Sequence, residues 1–580
     1  MEASRNQIVT EGERNHATQL VDEKRKTAFA NNSVQHYKRP EELPFTSDQR
    51  DHTTILFGGL TLSHERLIQG AWKGLGYRCD VVPTPDVAAF QLGKEYGNNG
   101  QCNPTYFTVG NLVKYLQGLE EQGLSREEIQ DKYVFLTAGA CGPCRFGMYE
   151  SEYRIALRNS GFDRFRVMLF QQSKGLSQHD VKAGLEMNLD FFLAMLNGMN
   201  MGDILNELAY TIRPYEVVEG KTEGVLQWAR DYLHDVLRDH KSASVNGGWG
   251  KLLETLNWRD RAEYLLKFRQ QLTSDYYLDA LRTVRRRFDE IEVDRFRVKP
   301  VVKITGEFWA QTTEGDGNFN MFRFLEREGS EVVVEPIGTW IMYMIHQYKQ
   351  ALGDRKGLEE GRDETPWWRF DKRLDSEVNY RKKLNKVNLA ERIFKREYDR
   401  LQEALGGGTL HELVCQYNLQ RVAHPYYNSR AGGGEGHLEV AKNIYYTNKG
   451  ICHMVLSLKP FGCMPSTQSD GVQAAVIEHH KDMIFLPIET SGEGEINAHS
   501  RVQMALGNAR VKAKQEFAEA LETTGRTLDE MHAFVEAHPR LRRPTYVVPK
   551  RDDVAGRAAN FVLHVGELMD AQGHRTAKVA

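Results

Sequence analysis

The feature that most constrains the fold is an alternation of strand and helix patterns, which occurs twice along the 580 residues. The first alternation begins with the strand pattern Thr54-Ile-Leu-Phe, continues through a helical pattern at 64–75, and reaches further strand patterns at 79–82, 133–137 and 165–170. Strands that alternate with helices pair in parallel, and helices cover both faces of the sheet. We therefore predict an α/β fold whose first lobe, at 51–178, is a doubly wound, Rossmann-like parallel sheet.

A second alternation starts at Val301-Val-Lys-Ile-Thr and includes strand patterns near 331, 452 and 483. It predicts a second doubly wound lobe, built from residues 300–347 and 406–500. The remaining segments carry polar or helical patterns. They predict a polar N-terminal arm, a helical connecting region, a helical insert and a helical C-terminal tail, at residues 1–50, 179–299, 348–405 and 501–580.

The charge balance excludes some partners. Lys and Arg number 76 against 79 Asp and Glu, for a formal charge of −3, so the chain has no global electrostatic reason to bind nucleic acid or an anionic membrane. No run approaches the roughly 18 apolar residues of a membrane helix, and the N-terminus is charged where a secretory signal is apolar. We predict a cytoplasmic protein that binds neither nucleic acid nor membrane.

The seven cysteines are too few for a disulfide framework, so their positions matter more than their number. Three of them lie in apolar-patterned segments and are predicted to be small buried hydrophobic residues. Of these, Cys79 and Cys452 are predicted in strands and Cys415 in a helix. The other four lie close to Gly or Pro, at Cys102, Cys141, Cys144 and Cys463.

Those four cysteines lie in three loops. Cys141 and Cys144 directly follow the third strand of the first alternation, and Cys463 follows a strand of the second. Cys102 comes just before Pro104, which suits the first turn of a helix. In an open parallel sheet, ligands bind outside the carboxyl ends of the strands. We therefore expect all three loops to face one cleft.

A Cys-x-x-Cys pair with two separate cysteines supplies the four thiolates of a [4Fe–4S] cluster. Neighbouring glycines would let backbone amides approach the cluster, the helix starts would favour an anion, and an arginine adds a positive charge. The candidate cluster-contacting residues are Gly139, Gly142, Arg145 and Gly462. Structural zinc, thioredoxin-like exchange at the Cys-Gly-Pro-Cys segment, and purely structural cysteines remain alternative interpretations.

Acidic and histidine side chains at strand ends and at a helix start are candidate catalytic groups: Glu307, Glu489 and His437. Each has a structural alternative, because such residues also cap helices or hold turns. His437 ends a Gly-rich segment, which suits phosphate binding or a simple helix entry. The sequence contains no Walker-type loop and no Gly-x-Gly-x-x-Gly after the first strand, so it predicts no nucleotide site of those kinds.

The cysteine motifs resemble those of a known group of proteins. The segments Asn-Gly-Gln-Cys-Asn-Pro, Ala-Cys-Gly-Pro-Cys-Arg-Phe-Gly-x-Tyr, Gly-Glu and Lys-Pro-Phe-Gly-Cys-Met-Pro begin at 99, 140, 306 and 459. They resemble the 2-hydroxyacyl-CoA dehydratase and benzoyl-CoA reductase superfamily, and most closely its branch of acyl-CoA dehydratase activase-related proteins. The resemblance covers roughly residues 52–175 and 300–505.

The resemblance implies a cubane iron-sulfur cluster between two α/β lobes, with a larger double-cubane cluster as an alternative. It implies Cys102, Cys141, Cys144 and Cys463 as the cluster ligands. It also implies an ATP-hydrolysing activase on a separate chain, which delivers a low-potential electron.

The dehydratases use that electron to form a ketyl radical from a 2-hydroxyacyl-CoA, which permits loss of hydroxide. We therefore expect an iron-sulfur dehydratase or reductase that acts on a small molecule, with a CoA thioester as candidate substrate, and that forms a homo- or hetero-oligomer. The alternative is a non-catalytic electron-transfer or accessory scaffold subunit that carries the same cluster.

Overall fold

The structure is a computed structural model, and the part described here is a set of ranges with gaps. The described residues are 44–139, 144–171, 175–176, 184–245, 258–356, 358, 368, 370–432 and 434–579. Most of the predicted N-terminal arm, and also Cys141 and Gly142, therefore lie outside the described residues. Within these ranges the chain is α/β, as predicted, and it contains two sheets.

The first sheet has the strand order β2-β1-β3-β4-β5. Its strands are β1 (Thr54–Phe57), β2 (Cys79–Val81), β3 (Tyr133–Gly139), β4 (Arg166–Gln171) and β5 (Gly175–Leu176). The first four strands are parallel, with Ile55 aligned to both Cys79 and Val134. β5 pairs antiparallel with β4, and the sequence patterns did not predict it.

Helices cover both faces of this sheet. They are α1 (Leu62–Gly74), α2 (Val87–Tyr96), α3 (Asn103–Glu121), α4 (Arg126–Lys132) and α5 (Tyr149–Asn159). Because successive side chains of a strand point to opposite faces, Ile55 packs with Trp72 of α1. Leu56 packs on the other face, with Leu112 of α3 and Ala156 of α5.

Four helices lie between the two sheets in the chain, and they pack against the segment that was predicted as an insert. The connecting helices are α6 (Leu189–Ile212), α7 (Lys221–Asp239), α8 (Arg259–Thr273) and α9 (Tyr276–Phe288). Leu208 of α6, Leu233 of α7 and Val284 of α9 share one buried cluster with Tyr398, which belongs to the insert. The two helical regions therefore form one common core.

The second sheet has the strand order β7-β6-β8-β9 and is parallel throughout. Its strands are β6 (Val301–Gly306), β7 (Glu331–Val333), β8 (Met454–Pro460) and β9 (Phe485–Thr490). Every residue of the central strands β6 and β8 is buried. This burial matches the near-continuous apolar runs that a sheet covered on both faces requires.

The helices of the second half follow in chain order. They are α10 (Phe308–Thr312), α11 (Met321–Arg327), α12 (Ile337–Asp354), α13 (Phe370–Gly406), α14 (Gln416–Ala423), α15 (Gly436–Asn448), α16 (Met464–His479), α17 (Glu495–Thr524), α18 (Leu528–Ala537) and α19 (Arg557–Val579). Val455 of β8 packs with Val440 of α15, whereas Leu456 packs with Val502 of α17 on the opposite face.

Two predicted peripheral segments are packed against the body of the protein. Phe45, in the last part of the predicted arm, is only 2% exposed, and Gly184 N donates to its carbonyl at 2.8 Å. The C-terminal helices form a buried cluster that includes Met531 and Val562. Among the described residues, no helix combines the length and the apolar character that crossing a membrane requires.

Candidate functional site

Three of the four predicted ligand cysteines stand at helix starts. Cys102 is the N-cap residue of α3, Cys463 is the N-cap residue of α16, and Cys144 precedes a 3-10 turn, Arg145–Met148. Pro104 and Pro465 lie in the first turns of α3 and α16, where a missing N–H removes no helical hydrogen bond. The sequence thus places the Cys102 and Cys463 thiols where free backbone N–H groups and the positive end of a helix dipole are found.

The loops of Cys102 and Cys463 touch, although they belong to different lobes. Asn103 N donates to Phe461 O at 3.0 Å. Gly462 has a φ of +76°, and a Cβ on it would lie 3.4 Å from the Cα of Cys102. Because only glycine adopts such a conformation readily and leaves this space, Gly462 allows the two loops to pack closely.

The Cys144 loop lies against the same region. Gly434 has a φ of +97°, and a Cβ on it would lie 3.6 Å from Cys144 Cβ and 3.0 Å from Pro465 Cβ. Arg145 Nη1 donates to Gly100 O, in the loop before Cys102. The structure therefore brings Cys102, Cys144 and Cys463 together, whereas Cys141 lies outside the described residues.

Hydroxyl groups contact two of the thiols. Cys102 Sγ is 3.1 Å from Thr105 Oγ1 and 3.3 Å from Tyr149 OH. Ser466 likewise hydrogen-bonds with the Cys463 side chain. In both loops the hydroxyl residue is three positions after the cysteine, with proline between them, in the pattern Cys-x-Pro-Thr/Ser. This repeated pattern is a sequence signal that would have identified Thr105 and Ser466.

Burial and nearby carboxyls hold these thiols in the protonated form. Burial raises the pKa of Cys102 and of Cys463, and it raises the pKa of Cys144 to about 12. The Glu307 carboxyl raises the pKa of each of the three thiols further. A bound metal would oppose this effect, because it stabilises the thiolate.

Two carboxyls lie beside the thiols. Glu307 is the N-cap residue of α10, and its Oε2 accepts from Ala310 N at 2.9 Å. Glu435 Oε1 accepts from Phe308 N at 2.6 Å. Burial raises the pKa of Glu307, and repulsion from Glu435 raises it further. Burial also raises the pKa of Glu435, with repulsion from Glu439 adding to it, so this edge of the second sheet favours protonated carboxyls.

Glu439 connects the site to a polar network under α16. It accepts from Ser466 Oγ at 2.7 Å and from Ser469 Oγ. Lys459 Nζ lies 3.7 Å from Glu439 Oε2 and pairs with Asp470. This network joins β8, α15 and α16, and so it fixes the helix that begins at Cys463.

The other predicted site residues have different surroundings. His437 is 3% exposed, and neither ring nitrogen has a hydrogen-bond partner in the part of the chain that the structure describes. Burial lowers the pKa of His437 to about 4, so the ring is neutral. Glu489 lies in β9 and is exposed. Gly139 ends β3, where a Cβ would lie 3.0 Å from a methyl of Leu169, and Gly142 lies outside the described residues.

The remaining cysteines follow the prediction in two cases out of three. Cys79 and Cys452 are buried, although Cys452 precedes β8 rather than lying within it. The prediction for Cys415 is wrong, because this residue is exposed and precedes α14 as its N-cap. The apolar pattern that suggested burial belongs to Leu413 and Val414, which are buried.

Sequence reasoning missed Tyr149 and Glu435 as members of the site. Tyr149 lies 47 positions from the thiol that it contacts, and Glu435 reaches Phe308 N across 127 positions. Tyr149 ends the cysteine motif that begins at 140, and Glu435 stands two residues before His437. No local pattern marks either contact, because each joins residues that are far apart in the sequence of one lobe.

The donor set can be tested for its fit to a metal centre. No group of three or more His, Cys, Asp or Glu side chains within the described ranges has the arrangement of a metal-ion site. A [4Fe–4S] cluster takes four cysteine thiolates, and one of the four candidates is outside those ranges. The three that are described are buried or half-buried, lie at helix starts and are flanked by glycines at close backbone approaches, which fits an anionic iron-sulfur cluster.

Comparison of this chain with known protein families, with curated proteins and with solved structures finds no match in any of the three.

Proposed function

We propose that this protein holds an iron-sulfur cluster, most simply [4Fe–4S], on Cys102, Cys141, Cys144 and Cys463. In this proposal it accepts a low-potential electron from a separate ATP-hydrolysing activase and passes it to a small-molecule substrate, with an acyl-CoA thioester as the candidate. One observation carries the proposal. Three thiols from three separate loops start helices in one place, and the carboxyl of Glu307 acts on all of them.

The arrangement of the strands supports this site. We take each lobe as a doubly wound unit, because the parallel strands follow the orders β2-β1-β3-β4 and β7-β6-β8-β9. In such sheets ligands bind beyond the carboxyl ends of the strands, where the strand order reverses. Cys144 follows β3, Glu307 follows β6 and Cys463 follows β8, and these are central strands at the two reversal points.

When bound, the cluster would supply one-electron transfer, and the chain supplies its surroundings. The Tyr149 and Thr105 hydroxyls contact Cys102 Sγ, and hydrogen bonds to sulfur are one determinant of the reduction potential. Burial of the thiols keeps water away from the site. The backbone N–H groups at the starts of α3 and α16 favour negative charge there.

The neighbouring carboxyls are suited to hold protons. Burial raises the pKa of Glu307 and of Glu435, and a protonated carboxyl adds no negative charge beside an anionic cluster. A leaving hydroxide needs a proton, and Glu307 Oε1 is the atom that we assign to this role, since Glu307 Oε2 accepts from Ala310 N.

Anaerobic reconstitution with iron and sulfide tests the cluster. We expect a brown protein with about four irons per chain, or more for a double-cubane cluster, and an electron paramagnetic resonance signal after reduction. A colourless protein that holds no iron after reconstitution would contradict the proposal.

The reaction requires a second experiment. Reconstituted protein is incubated with an activase, ATP and a series of acyl-CoA thioesters. Product formation supports a dehydratase or reductase. Reduction of the cluster without turnover of any thioester would instead support the alternative, an electron-transfer or accessory subunit.

A further inference from the structure

A second site lies away from the thiols, in a cavity of about 240 Å³ where the helical core meets both lobes. Helices α6 and α7 form one side of this cavity, and the segment between α10 and α11 forms the other. Leu62 of the first lobe is 44% exposed and Arg323 has a half-exposed side chain, so these two residues form its mouth. The lining includes Tyr210, Arg230, Glu314, Phe322 and Leu226.

Arg230 is a buried cation whose Nη groups are available to a ligand. The residue is 5% exposed, and its Nε donates to Ser63 Oγ at 2.8 Å. Its nearest carboxylate oxygen among the described residues is Glu223 Oε1, which is 3.8 Å from Nη1 and so beyond hydrogen-bond distance. Because a buried guanidinium without acceptors is costly, the Nη groups call for an anionic partner in the cavity.

The other two arginines of the cavity are already paired. Arg213 donates to Glu326 at 2.7 Å and to Glu223 at 3.2 Å. Arg323 donates to Glu223 at 2.6 Å. Their charges are therefore compensated by two carboxylates, whereas Arg230 keeps its outer nitrogens for a ligand.

A second buried polar group lines the same cavity. Tyr210 is 7% exposed and lines the cavity. Phe322 and Leu226 are buried and supply apolar walls. One carboxylate, Glu314, also lines the cavity, where its Oε2 accepts from Leu62 N at 3.0 Å. A cation, a hydroxyl and an acid thus surround an apolar space.

We propose that this cavity binds a small organic carboxylate. Its carboxylate accepts from the Arg230 Nη groups and from the Tyr210 hydroxyl, and its short carbon chain packs on Phe322 and Leu226. At roughly 30 Å³ per water, the cavity volume corresponds to about eight waters, and so to a ligand of about eight non-hydrogen atoms. The carboxylate could belong to an amino acid or to a simple carboxylic acid. Glu314 bears on this choice, because it attracts the ammonium of an amino acid and repels a second acid group. The proposal does not depend on the iron-sulfur cluster.

Three probes of one carbon skeleton test the proposal by calorimetry on the full-length chain at low salt. They are pentanoate, L-norvaline and 1-pentanol. We expect saturable binding of at least one of the two acids and none of the alcohol, which lacks the carboxylate. Tighter binding of norvaline identifies an amino acid site, and tighter binding of pentanoate identifies a simple carboxylate site.

Variants then locate the binding. Arg230→Gln is expected to weaken the better acid at least about tenfold, because it removes a charge-assisted hydrogen bond. Tyr210→Phe removes one oxygen without changing the ring, and we expect it to weaken the acid several-fold. Arg282→Gln, at an exposed arginine of α9 that pairs with Asp279 at 2.7 Å, is the matched control and should leave binding unchanged.

The proposal is overturned if neither acid binds at tens of millimolar, or if 1-pentanol binds as tightly as pentanoate. It is also overturned if Tyr210→Phe binds the acid like the wild type. This second variant keeps the test valid even if Arg230→Gln does not fold. Iron content measured on the same samples distinguishes this result from a failure of the proposed cluster.

Discussion

One cysteine precedes strand β8 and another follows it. The two are buried to a similar extent, but their surroundings differ. Cys452 precedes the strand and is 9% exposed, whereas Cys463 follows it and is 7% exposed. Cys452 lies in an apolar cluster, and the charged groups that act on it are Lys303 and Lys550. Cys463 caps α16, and Glu307 raises its pKa. Burial alone therefore does not separate a core thiol from a candidate ligand, but the end of the strand does.

The first sheet repeats this division. Cys79 is the first residue of β2, and its Sγ lies 3.6 Å from Gln69 O in an apolar cluster. Burial raises the pKa of Cys79 to about 12, as it does for Cys144, which follows β3. The amino ends of the strands thus hold inert thiols, and the carboxyl ends lead to helix starts where a ligand can be bound.

Substitution of the two β8 cysteines gives the largest expected effect. We expect Cys463→Ala to lose most of the iron that reconstituted wild-type protein holds, because it removes a thiolate ligand. Cys452→Ala should keep its iron and lose only some stability, since it removes a small buried side chain. Iron and sulfide analysis after identical reconstitution measures both. Equal iron content in the two variants would contradict the assignment of Cys463 as a ligand and of Cys452 as a core residue.

The carboxyl edge also holds a buried acid, Glu65, whose Oε1 accepts from Gly59 N at 2.8 Å and Leu60 N at 3.1 Å beyond β1. Burial raises the pKa of Glu65 to about 8 from 4.5. The folded protein then holds a proton that the unfolded chain releases, so stability falls as the pH rises from about 4.5 to 8. The loss is of the order of 5 kcal/mol, at about 1.4 kcal/mol per pKa unit.

Glu65→Gln keeps an oxygen acceptor and cannot lose a proton. We expect the variant to match the wild type near pH 5 and to be more stable by a few kcal/mol near pH 9, in urea unfolding followed by circular dichroism. A difference that is the same at both pH values would show that Glu65 does not titrate with folding.

A smaller effect is expected where the two lobes touch. Gly462→Ala adds a Cβ 3.3 Å from Gln101 O at a φ of +76°, which costs about 1–2 kcal/mol in conformation alone. We expect lower stability and weaker iron retention in the same variant. Gly471→Ala is the matched control at an exposed position of α16, because a Cβ there has no neighbour within 4 Å. Iron loss in the control alone would contradict the role of the loop contact.

The smallest expected effect is on the reduction potential. Tyr149→Phe removes the hydroxyl that lies 3.3 Å from Cys102 Sγ. We expect normal iron content and a lower potential, because a hydrogen bond to a thiolate stabilises the reduced cluster. Tyr153→Phe is the matched control, because it removes the hydroxyl of a tyrosine one turn further along α5, whose ring packs on Phe135. Equal shifts of potential in the two variants would rule out a specific role for Tyr149.

Much of the fold follows from local patterns. The runs that form β1 and β3 are apolar and rich in β-branched or aromatic residues, and they are strands as predicted. Helix α2 was not predicted, because it packs on α3 through glycines rather than through a wide apolar stripe. A Cβ on Gly93 would collide with the backbone of Tyr106. The two helices can therefore approach only because glycine has no side chain, and a pattern of hydrophobic residues does not reveal such a contact.

The candidate site is predictable only in part. The loops of Cys102, Cys144 and Cys463 follow from Gly and Pro beside cysteine at element ends. The carboxyl of Glu435 and the hydroxyl of Tyr149 do not, because their contacts join residues far apart in sequence. Strand and helix patterns describe neighbours along the chain, whereas this site is made of neighbours across two lobes.

The division of the thiols between two lobes has a consequence for synthesis. Cys102 emerges from the ribosome 361 residues before Cys463, a delay of roughly 20–70 s at about 5–20 residues per second. Throughout that interval the first lobe displays its thiols without the loop that covers them. For the proposed cluster, this order of synthesis means that the full set of ligand cysteines exists only after Cys463 and α16 have been made.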